Sequence, residues 1–211
     1  MECLKVGIVD DHPFVAKGLE SIFSMDGGLK TAWAALDYEE MAALLEKDPV
    51  DVLVVDLKIG DSINGLRVLD HVAQRYSKTA AIVLSAYAPP RLVRASFEKG
   101  ARGYFTKDEE GANLIRAIKE IGSGRGRSFY GPYQELAKPN VYLDISARER
   151  EVMLLIAKGK PNAEVAAELG LKVGTVKTHL ESIYKKLGAS NRTEAMRAAL
   201  AEGYFCLEDL M

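Results

Sequence analysis

A run of four apolar residues, Val52-Leu53-Val54-Val55, leads directly into a carboxylate, Asp56. So short a run, rich in branched side chains, predicts a strand that is buried on both faces, as in a parallel sheet covered by helices. Ligands of such folds bind outside the carboxyl ends of the strands. Asp56 is therefore expected at the edge of the sheet where a functional site can form.

Strand and helix signals alternate from residue 4 to about residue 121. Five strand–helix units with short connections predict a doubly wound α/β fold with right-handed crossovers. We expect a flavodoxin-like (βα)5 domain with the parallel strand order 2-1-3-4-5. In that order, the ends of strands one, three, four and five adjoin.

Other predicted strands of this region also end in residues whose side chains can bind a cation or take part in a reaction. The first ends at Asp10 and Asp11, the fourth at Ser85 and the fifth at Lys107. Crowded carboxylates repel one another, and a hard cation such as Mg²⁺ relieves that repulsion. Asp56 could then attack phosphorus as a nucleophile while Lys107 and Ser85 contact phosphoryl oxygens. Taken singly, each residue could instead cap a loop or lie in solvent.

Residues 1–122 resemble the receiver domain of bacterial two-component response regulators, with a likeness to the NarL/FixJ subfamily. The matching residues are Asp10-Asp11-His12-Pro13, Asp56, Ser85-Ala86 and Gly100-Ala101-Arg102-Gly103-Tyr104-Phe105-Thr106-Lys107. The resemblance implies that a sensor histidine kinase phosphorylates Asp56 and that Tyr104 is a switch, turning inward when Ser85 moves toward the phosphoryl group. It also implies a Mg²⁺ site formed by Asp10, Asp11, Asp56 and the backbone carbonyl of Lys58.

The loop after Asp56 departs from the usual family pattern, which has a proline four residues and a glycine eight residues after the acceptor. Here Gly60 occupies the proline position, and the matching glycine is Gly65, nine residues after Asp56. The loop is expected to be one residue longer and less rigid. This departure leaves open a DNA-binding protein that acts without phosphorylation and carries a vestigial receiver.

A glycine-rich stretch separates this region from a second one. Residues 123–142 are predicted to be a flexible linker between a receiver domain at 1–122 and a DNA-binding domain at 143–211. From residue 146 onward the signals are helical, beginning with a capping box at Ser146 and Glu149. Two of the four predicted helices are joined by a tight turn at Gly170, which predicts a helix-turn-helix.

The second helix of this pair, from about Gly174 to Leu187, is expected to enter the major groove of DNA. Residues 158–192 hold seven basic and three acidic side chains, a local balance of +4. We expect base contacts from Lys177 and Thr178, and Glu181 could accept a hydrogen bond from cytosine. The other candidate DNA contacts, mainly to phosphates, are Thr175, Lys172, Lys160 and Arg192. A small helical bundle with an ordinary exposed face would show the same spacing.

The helical region closely resembles LuxR-type DNA-binding domains. The matching runs are 145–152, 174–180 and 186–195. Together, the two resemblances imply a response regulator and transcription factor that binds double-stranded DNA as a homodimer when active. They suggest the final helix, about Arg192 to Ala201, as a dimer contact.

Composition excludes some classes of protein. No apolar run is long enough to span a bilayer, and no secretory signal is recognised at the N-terminus, so we expect a cytoplasmic protein without a membrane partner. Cys3 and Cys206 are expected to be free thiols.

The enzymatic alternative is a Mg²⁺-dependent phosphohydrolase with an aspartate nucleophile. Such enzymes commonly carry a second acid two residues after the nucleophile, where this chain has Lys58, so we expect no enzyme.

Overall fold

The computed structural model of the protein describes residues 3–60, 64–124, 129–137, 145–205 and 208–210. The chain divides into two compact units, with a boundary in the sequence between Lys138 and Pro139. The first contains a parallel sheet and the second is helical. Each has its own apolar core.

Five parallel strands form the sheet of the first unit in the order β2-β1-β3-β4-β5, which confirms the predicted topology. The strands are β1 (Leu4–Val9), β2 (Leu29–Ala35), β3 (Val52–Val55), β4 (Ala80–Ser85) and β5 (Ala101–Thr106). The helices between and after them are α1 (Pro13–Asp26), α2 (Tyr38–Lys47), α3 (Gly65–Arg75), α4 (Pro90–Glu98) and α5 (Gly111–Gly122).

Helices cover the sheet on both sides, as the continuous apolar character of β3 requires. All four residues of β3 are buried. Alternate side chains of the strands face opposite sides of the sheet, and those on one side pack with α1 and α5 around Phe23 and Ile118. On the other side, α2 and α3 bury Met41, Leu45 and Leu69.

Hydrogen bonds between neighbouring strands continue one residue beyond the strand ends. The backbone N–H of Asp56 donates to the carbonyl of Val9 at 2.8 Å, and that of Lys107 donates to the carbonyl of Ser85 at 2.9 Å. Residues that are far apart in the sequence are thereby brought side by side at the carboxyl edge of the sheet.

Part of the predicted flexible linker is ordered against the sheet. The backbone N–H of Tyr130 donates to the carbonyl of Arg102 at 2.8 Å, forming a parallel bridge with β5, and Gln134–Ala137 forms a 3-10 turn. Residues 129–137 of the predicted linker therefore have partners on the sheet. They do so because β5 is an edge strand, whose outer N–H and C=O groups can bind a following segment. Residues 125–128 and 138–142 of the predicted linker lie outside the described residues.

The helical unit has four α-helices within residues 145–205, as predicted, and a 3-10 turn at Glu208–Leu210. The α-helices are α6 (Ala147–Ala157), α7 (Asn162–Leu169), α8 (Val173–Leu187) and α9 (Arg192–Glu202). Gly170 ends α7 in the left-handed conformation, and α8 begins at Val173, one residue before the predicted start. The apolar stripes of these helices meet around Met153, Val176 and Ile183.

Two expectations from composition concern membrane-spanning helices and free cysteines. Among the described residues, no helix has both the length and the apolar character needed to cross a bilayer. Cys3 is a free, exposed thiol, whereas Cys206 lies outside the described residues.

Candidate functional site

Three carboxylates and a lysine converge at the carboxyl edge of the sheet, as the strand order predicts. The Nζ atom of Lys107 lies 2.6 Å from Oδ2 of Asp56 and 2.8 Å from Oδ2 of Asp10. Potential ligand atoms of Asp10, Asp11, His12 and Asp56 all lie within 4.8 Å of one another. The pocket therefore has the groups needed to hold a cation beside the buried carboxylate of Asp56.

The electrostatics of the pocket are set by burial and crowding. Burial raises the pKa of Asp56, and the nearby charge of Asp10 acts in the same direction, whereas the ammonium group of Lys107 opposes both. Burial alone would lower the pKa of Lys107, but its hydrogen bonds to Asp10 and Asp56 raise it overall. One ammonium group does not fully compensate the carboxylates, so a further cation is favoured here.

Asp11 is held at the mouth of the pocket by two groups that follow different strands. Its Oδ2 accepts a hydrogen bond from the backbone N–H of Gly60 at 2.8 Å, and its Oδ1 lies 2.7 Å from Nδ1 of His12. His12 also donates its backbone N–H to Oδ1 of Asp10. Sequence reasoning did not include His12 in the site, although its position directly after Asp11 could have suggested it.

The donor set suits the Mg²⁺ ion that the fold family implies. Carboxylate oxygens are the ligands that this ion prefers, and it is usually bound by one or two of them together with water. The cation that already lies between Asp10 and Asp56 is the ammonium group of Lys107, so the pocket accommodates positive charge at that position.

The structure explains why glycine occupies positions 60 and 65 of the altered loop. Gly60 has φ of +65°, which proline cannot adopt, and its N–H, which proline lacks, binds Asp11. At Gly65 a Cβ atom would lie 2.2 Å from the carbonyl oxygen of Asp56, so only glycine fits at this point. The backbone N–H of Gly65 donates to the carbonyl of Leu57 at 3.0 Å. Gly65 thus lies against the backbone of Asp56 even though the loop is longer; residues 61–63 lie outside the described part.

Ser85 and Tyr104 form a second layer beside the pocket. Both are buried, Tyr104 completely. The Tyr104 hydroxyl donates to the carbonyl of Tyr87 at 2.7 Å. Burial raises the pKa of Tyr104, although the nearby side chain of Ser85 acts to lower it, so the phenol stays protonated. The ring is therefore turned inward, next to the serine that was expected to act on it.

On the helical unit, the residues expected at DNA bases share one exposed face of α8. The exposed residues of this face and of the turn before it include Lys172, Thr175, Lys177, Thr178 and Glu181, while Val176, Leu180 and Ile183 are buried. The hydroxyl of Thr178 donates to the carbonyl of Gly174 one turn earlier, at 3.2 Å. The structure thus brings five of the seven candidate DNA contacts together on one surface.

Lys160 and Arg192, the two remaining candidates, have partners within the helical unit. Lys160 forms an ion pair with Glu168. The guanidinium group of Arg192 donates to the carbonyls of Ile156 and Lys160, at 2.7 and 3.1 Å. The carbonyl of Ile156 lies in the last turn of α6, and that of Lys160 lies just after the helix ends. Arg192 therefore attaches the start of α9 to the end of α6.

The buried carboxylate of Glu149 connects α6 to α8. Glu149 accepts hydrogen bonds from Lys186 and Ser182 of α8, both at 2.7 Å, and from the backbone N–H of Ser146 at 2.8 Å. Burial alone would raise the pKa of Glu149, but these hydrogen bonds outweigh it and lower the pKa to about 2. The sequence pattern predicted the capping box, which is present, but not the partners on α8.

Comparisons with known proteins agree with both halves of this description. Residues 6–119 match the family model of the response regulator receiver domain, and residues 144–199 match that of bacterial regulatory proteins of the luxR family. The chain is 32% identical over 195 residues to the probable transcriptional regulatory protein SgaR of Hyphomicrobium methylovorum, covering 92% of this chain and 90% of SgaR. It is 30% identical over 208 residues to the probable transcriptional regulatory protein NarL of Mycobacterium tuberculosis, covering 95% of each.

A solved structure of a complex of DNA and the two-component response regulator RcsB has the same fold, with a TM-score of 0.67 at 22% identity over 96% of this chain and 100% of RcsB. Two family models, matched in order along one chain, and relatives aligned over nearly their whole length agree with the acidic pocket and the helix-turn-helix described above. The chain therefore belongs to the two-component response regulators of the NarL/FixJ type, transcriptional regulators in which a receiver domain is followed by a LuxR-type DNA-binding domain.

Proposed function

We propose that Asp56 accepts a phosphoryl group from a sensor histidine kinase in a Mg²⁺-dependent reaction, and that this modification controls DNA binding. The observation that carries the proposal is the convergence of charged groups at one edge of the sheet. Lys107 lies within 2.8 Å of both Asp56 and Asp10, and Asp11 is held at the same edge by Gly60. Such an arrangement suits the transfer of a negatively charged group to a carboxylate.

Each pocket residue has a role in this reaction. Asp10, Asp11, Asp56 and the backbone carbonyl of Lys58 would hold Mg²⁺, which supplies charge neutralisation when bound. An oxygen of Asp56 forms the bond to phosphorus as the bond to the kinase histidine breaks. Lys107 then pairs with a phosphoryl oxygen, and the hydroxyl of Ser85 donates to another.

The phosphoryl group would act through a shift between two states of the receiver. The side chain of Ser85 is near enough to the Tyr104 hydroxyl to affect its pKa, so a movement of the serine changes the environment of the phenol. The inward position of Tyr104 is the one that a phosphoryl group, by drawing Ser85 toward itself, would stabilise.

The regulated activity is the binding of double-stranded DNA by α8. The exposed positions of Lys177, Thr178 and Glu181 favour base contacts, and Lys172 and Thr175 suit phosphates. Lys160 and Arg192 already bind partners within the helical unit, so they would contact DNA only with donor groups that those partners leave available. RcsB has been solved as dimers bound to DNA, and we propose that this chain also acts as a homodimer, with α9 at the contact. We propose that it does so in the cytoplasm.

A phosphodonor assay tests this proposal. Acetyl phosphate with Mg²⁺ should add one phosphoryl group to the intact chain, as measured by mass spectrometry, and should change its affinity for a selected DNA duplex. Asp56→Asn should remove both effects. Asp51→Asn is the matched control, because Asp51 is an exposed acid just before the same strand. Equal labelling of Asp56→Asn and the unmodified chain would refute the assignment of the acceptor.

Two other activities give distinct results in the same assay. A vestigial receiver, which the longer loop and Gly60 would favour, gives no labelling and DNA binding that the phosphodonor does not change. A phosphohydrolase would release phosphate over many turnovers from a phosphomonoester. We expect the chain instead to accept one phosphoryl group and stop.

A further inference from the structure

Residues 129–137, which we call the clasp, lie along the outer edge of the sheet and contact the switch residue Tyr104. The backbone N–H of Tyr104 donates to the carbonyl of Tyr130 at 3.0 Å. Together with the bond from Tyr130 to Arg102, this adds one parallel bridge outside β5. The clasp therefore satisfies hydrogen-bonding groups that an edge strand would otherwise expose.

Aromatic side chains attach the clasp at two points. The ring of Phe129, 8% exposed, packs edge-on against Phe97 of α4 with centroids 5.4 Å apart. The ring of Tyr133 packs edge-on against Tyr104 at 5.8 Å, and its hydroxyl is hydrogen-bonded to the hydroxyl of Thr106 at 3.3 Å. Aromatic pairs of this geometry contribute roughly 0.5–1.5 kcal/mol beyond the area that they bury. One of these pairs depends directly on the position of the switch ring.

Gly131 brings the clasp close to the backbone of the switch residue. Its φ is +111°, and a Cβ atom at this position would lie 2.1 Å from the carbonyl oxygen of Tyr104. The clasp thus contacts the amide, the carbonyl and the ring of the same residue. No other glycine of the stretch after α5 within the described residues has such a neighbour, since a Cβ at Gly124 would meet nothing within 4 Å.

We propose that the clasp docks on β5 when Tyr104 is turned inward and detaches when it turns outward. An outward rotation would remove the contact between Tyr104 and Tyr133, and would thereby weaken docking. Because coupling between two equilibria is reciprocal, docking also favours the inward ring. The proposal rests on the proposed function in one respect, namely that phosphorylation of Asp56 stabilises the inward state.

The consequence for the protein is a tether whose free length depends on the receiver. With the clasp docked, the described part of the receiver ends at Ala137, and the described part of the second domain begins eight positions later in the sequence, at Ile145. Release of residues 129–137 would add about 30 Å of extended reach. A longer tether changes the effective concentration of the two domains for each other and for paired DNA half-sites. Phosphorylation would in this way shorten the tether of the DNA-binding domain.

Hydrogen exchange of the full chain, followed by mass spectrometry, tests the clasp. The amides of Tyr104 and Tyr130 donate across the clasp contact, so their exchange reports docking. We expect Gly131→Ala and Tyr133→Ala each to speed their exchange roughly tenfold, corresponding to the loss of one aromatic pair or bridge. Gly124→Ala is the matched control, because it also places alanine at a positive φ but without a collision. Unchanged exchange in both clasp variants would overturn the proposal.

A second arm tests the coupling to phosphorylation. Mg²⁺ with beryllofluoride should slow exchange at Tyr104 and Tyr130 in the unmodified chain and in Gly124→Ala, and should slow it less in Gly131→Ala. The pocket peptide around Ser85 serves as the internal reference. If that peptide responds and the clasp does not, the coupling is refuted while the proposed function stands. If neither responds, and Asp56 takes no label from acetyl phosphate, the proposed function fails, and the regulation of the clasp by phosphorylation fails with it.

Discussion

Two buried carboxylates, Asp56 in the receiver and Glu149 in the DNA-binding domain, have similar exposure and opposite electrostatics. They are 5% and 4% exposed, and each accepts a hydrogen bond from a lysine. Burial raises the pKa of Asp56, with Asp10 adding to the effect, whereas hydrogen bonds from Lys186, Ser182 and Ser146 overcome burial at Glu149 and lower its pKa to about 2. The difference lies in the neighbours: Asp56 shares its lysine with a second acid, and Glu149 has three donors.

The different surroundings of Asp56 and Glu149 suit the two carboxylates to different roles. A buried acid whose charge is incompletely compensated gains when a cation or a new bond reduces that charge, which suits a phosphoryl acceptor. A buried acid with all its partners in place is costly to disturb, because its removal takes the acceptor away from each of its donors. Under the proposed function the first acid accepts the phosphoryl group, whereas the second joins α6 to α8 through Ser182 and Lys186.

The largest effect on stability is expected for Glu149→Gln. The lowered pKa means that ionised Glu149 stabilises the folded DNA-binding domain by about 3 kcal/mol. Glu149→Gln should lower the unfolding free energy of this domain by that amount. Hydrogen exchange of α6 and α8 in the full chain measures it. Glu151→Gln is the control: Glu151 is exposed, and among the described residues it pairs with the partly exposed Arg148, so its loss should cost less than about 1 kcal/mol. Equal effects of the two variants would remove the distinction.

The same carboxylate predicts a particular acid sensitivity. Its pKa is about 2 in the folded domain and near 4.5 when unfolded, so its contribution to stability is complete above pH 4.5. That contribution is lost as the pH falls from about 4.5 to about 2, and Glu149→Gln should lack this part of the pH dependence. Denaturant unfolding at a series of pH values, with helical circular dichroism as the signal, measures both proteins. Parallel curves for the two would show that Glu149 is not the titrating group.

A smaller effect, on affinity rather than stability, is expected on the outer face of α8. Lys177→Ala should weaken DNA binding by about 1–3 kcal/mol if the side chain reads a base, with no loss of stability. Lys30→Ala, at an exposed lysine of β2, controls for the change in net charge. Fluorescence anisotropy with a selected duplex measures the affinity. If Lys177 binds only a phosphate, Lys177→Ala should weaken binding to all sequences alike and reduce the salt dependence by about one charge.

The smallest change is expected from Asp56→Asn in the absence of phosphodonor and Mg²⁺. Because its surroundings disfavour the charged form, a neutral replacement should leave the unfolding free energy of the receiver unchanged or slightly higher. The fluorescence of Trp33, the only tryptophan, follows unfolding of this domain. A loss as large as that expected for Glu149→Gln would mean that Asp56 is also a structural anchor, contrary to the comparison.

Local patterns predicted the sheet, its strand order and the convergence of Asp10, Asp11, Asp56 and Lys107 at its carboxyl edge. Strand β3 is a continuous apolar run because both of its faces are covered, and Asp56 must then follow at the edge. The same patterns did not predict which side chains contact these and other acids. His12 contacts Asp11, and Lys186 contacts Glu149 across 37 positions of sequence. Neither contact produces a periodic pattern in the sequence.

The clasp shows most clearly where sequence reasoning was insufficient. Glycine and polar residues after α5 are typical of a linker, and nothing in that composition identifies the edge of β5 as a partner. Phe129, Tyr130 and Tyr133 were the available signal, because aromatic residues in a linker bury large areas when a surface is near.

From the order of its amino acids alone, this protein is recognisable as a doubly wound sheet with an acid at the end of its third strand, followed by a helix-turn-helix. Periodicity and capping are local properties, and they suffice for that much. Only the tertiary structure decided which charges compensate one another and which segment covers the edge of β5. Those outcomes depend on distances between residues far apart in the chain, and on the burial that folding imposes on them.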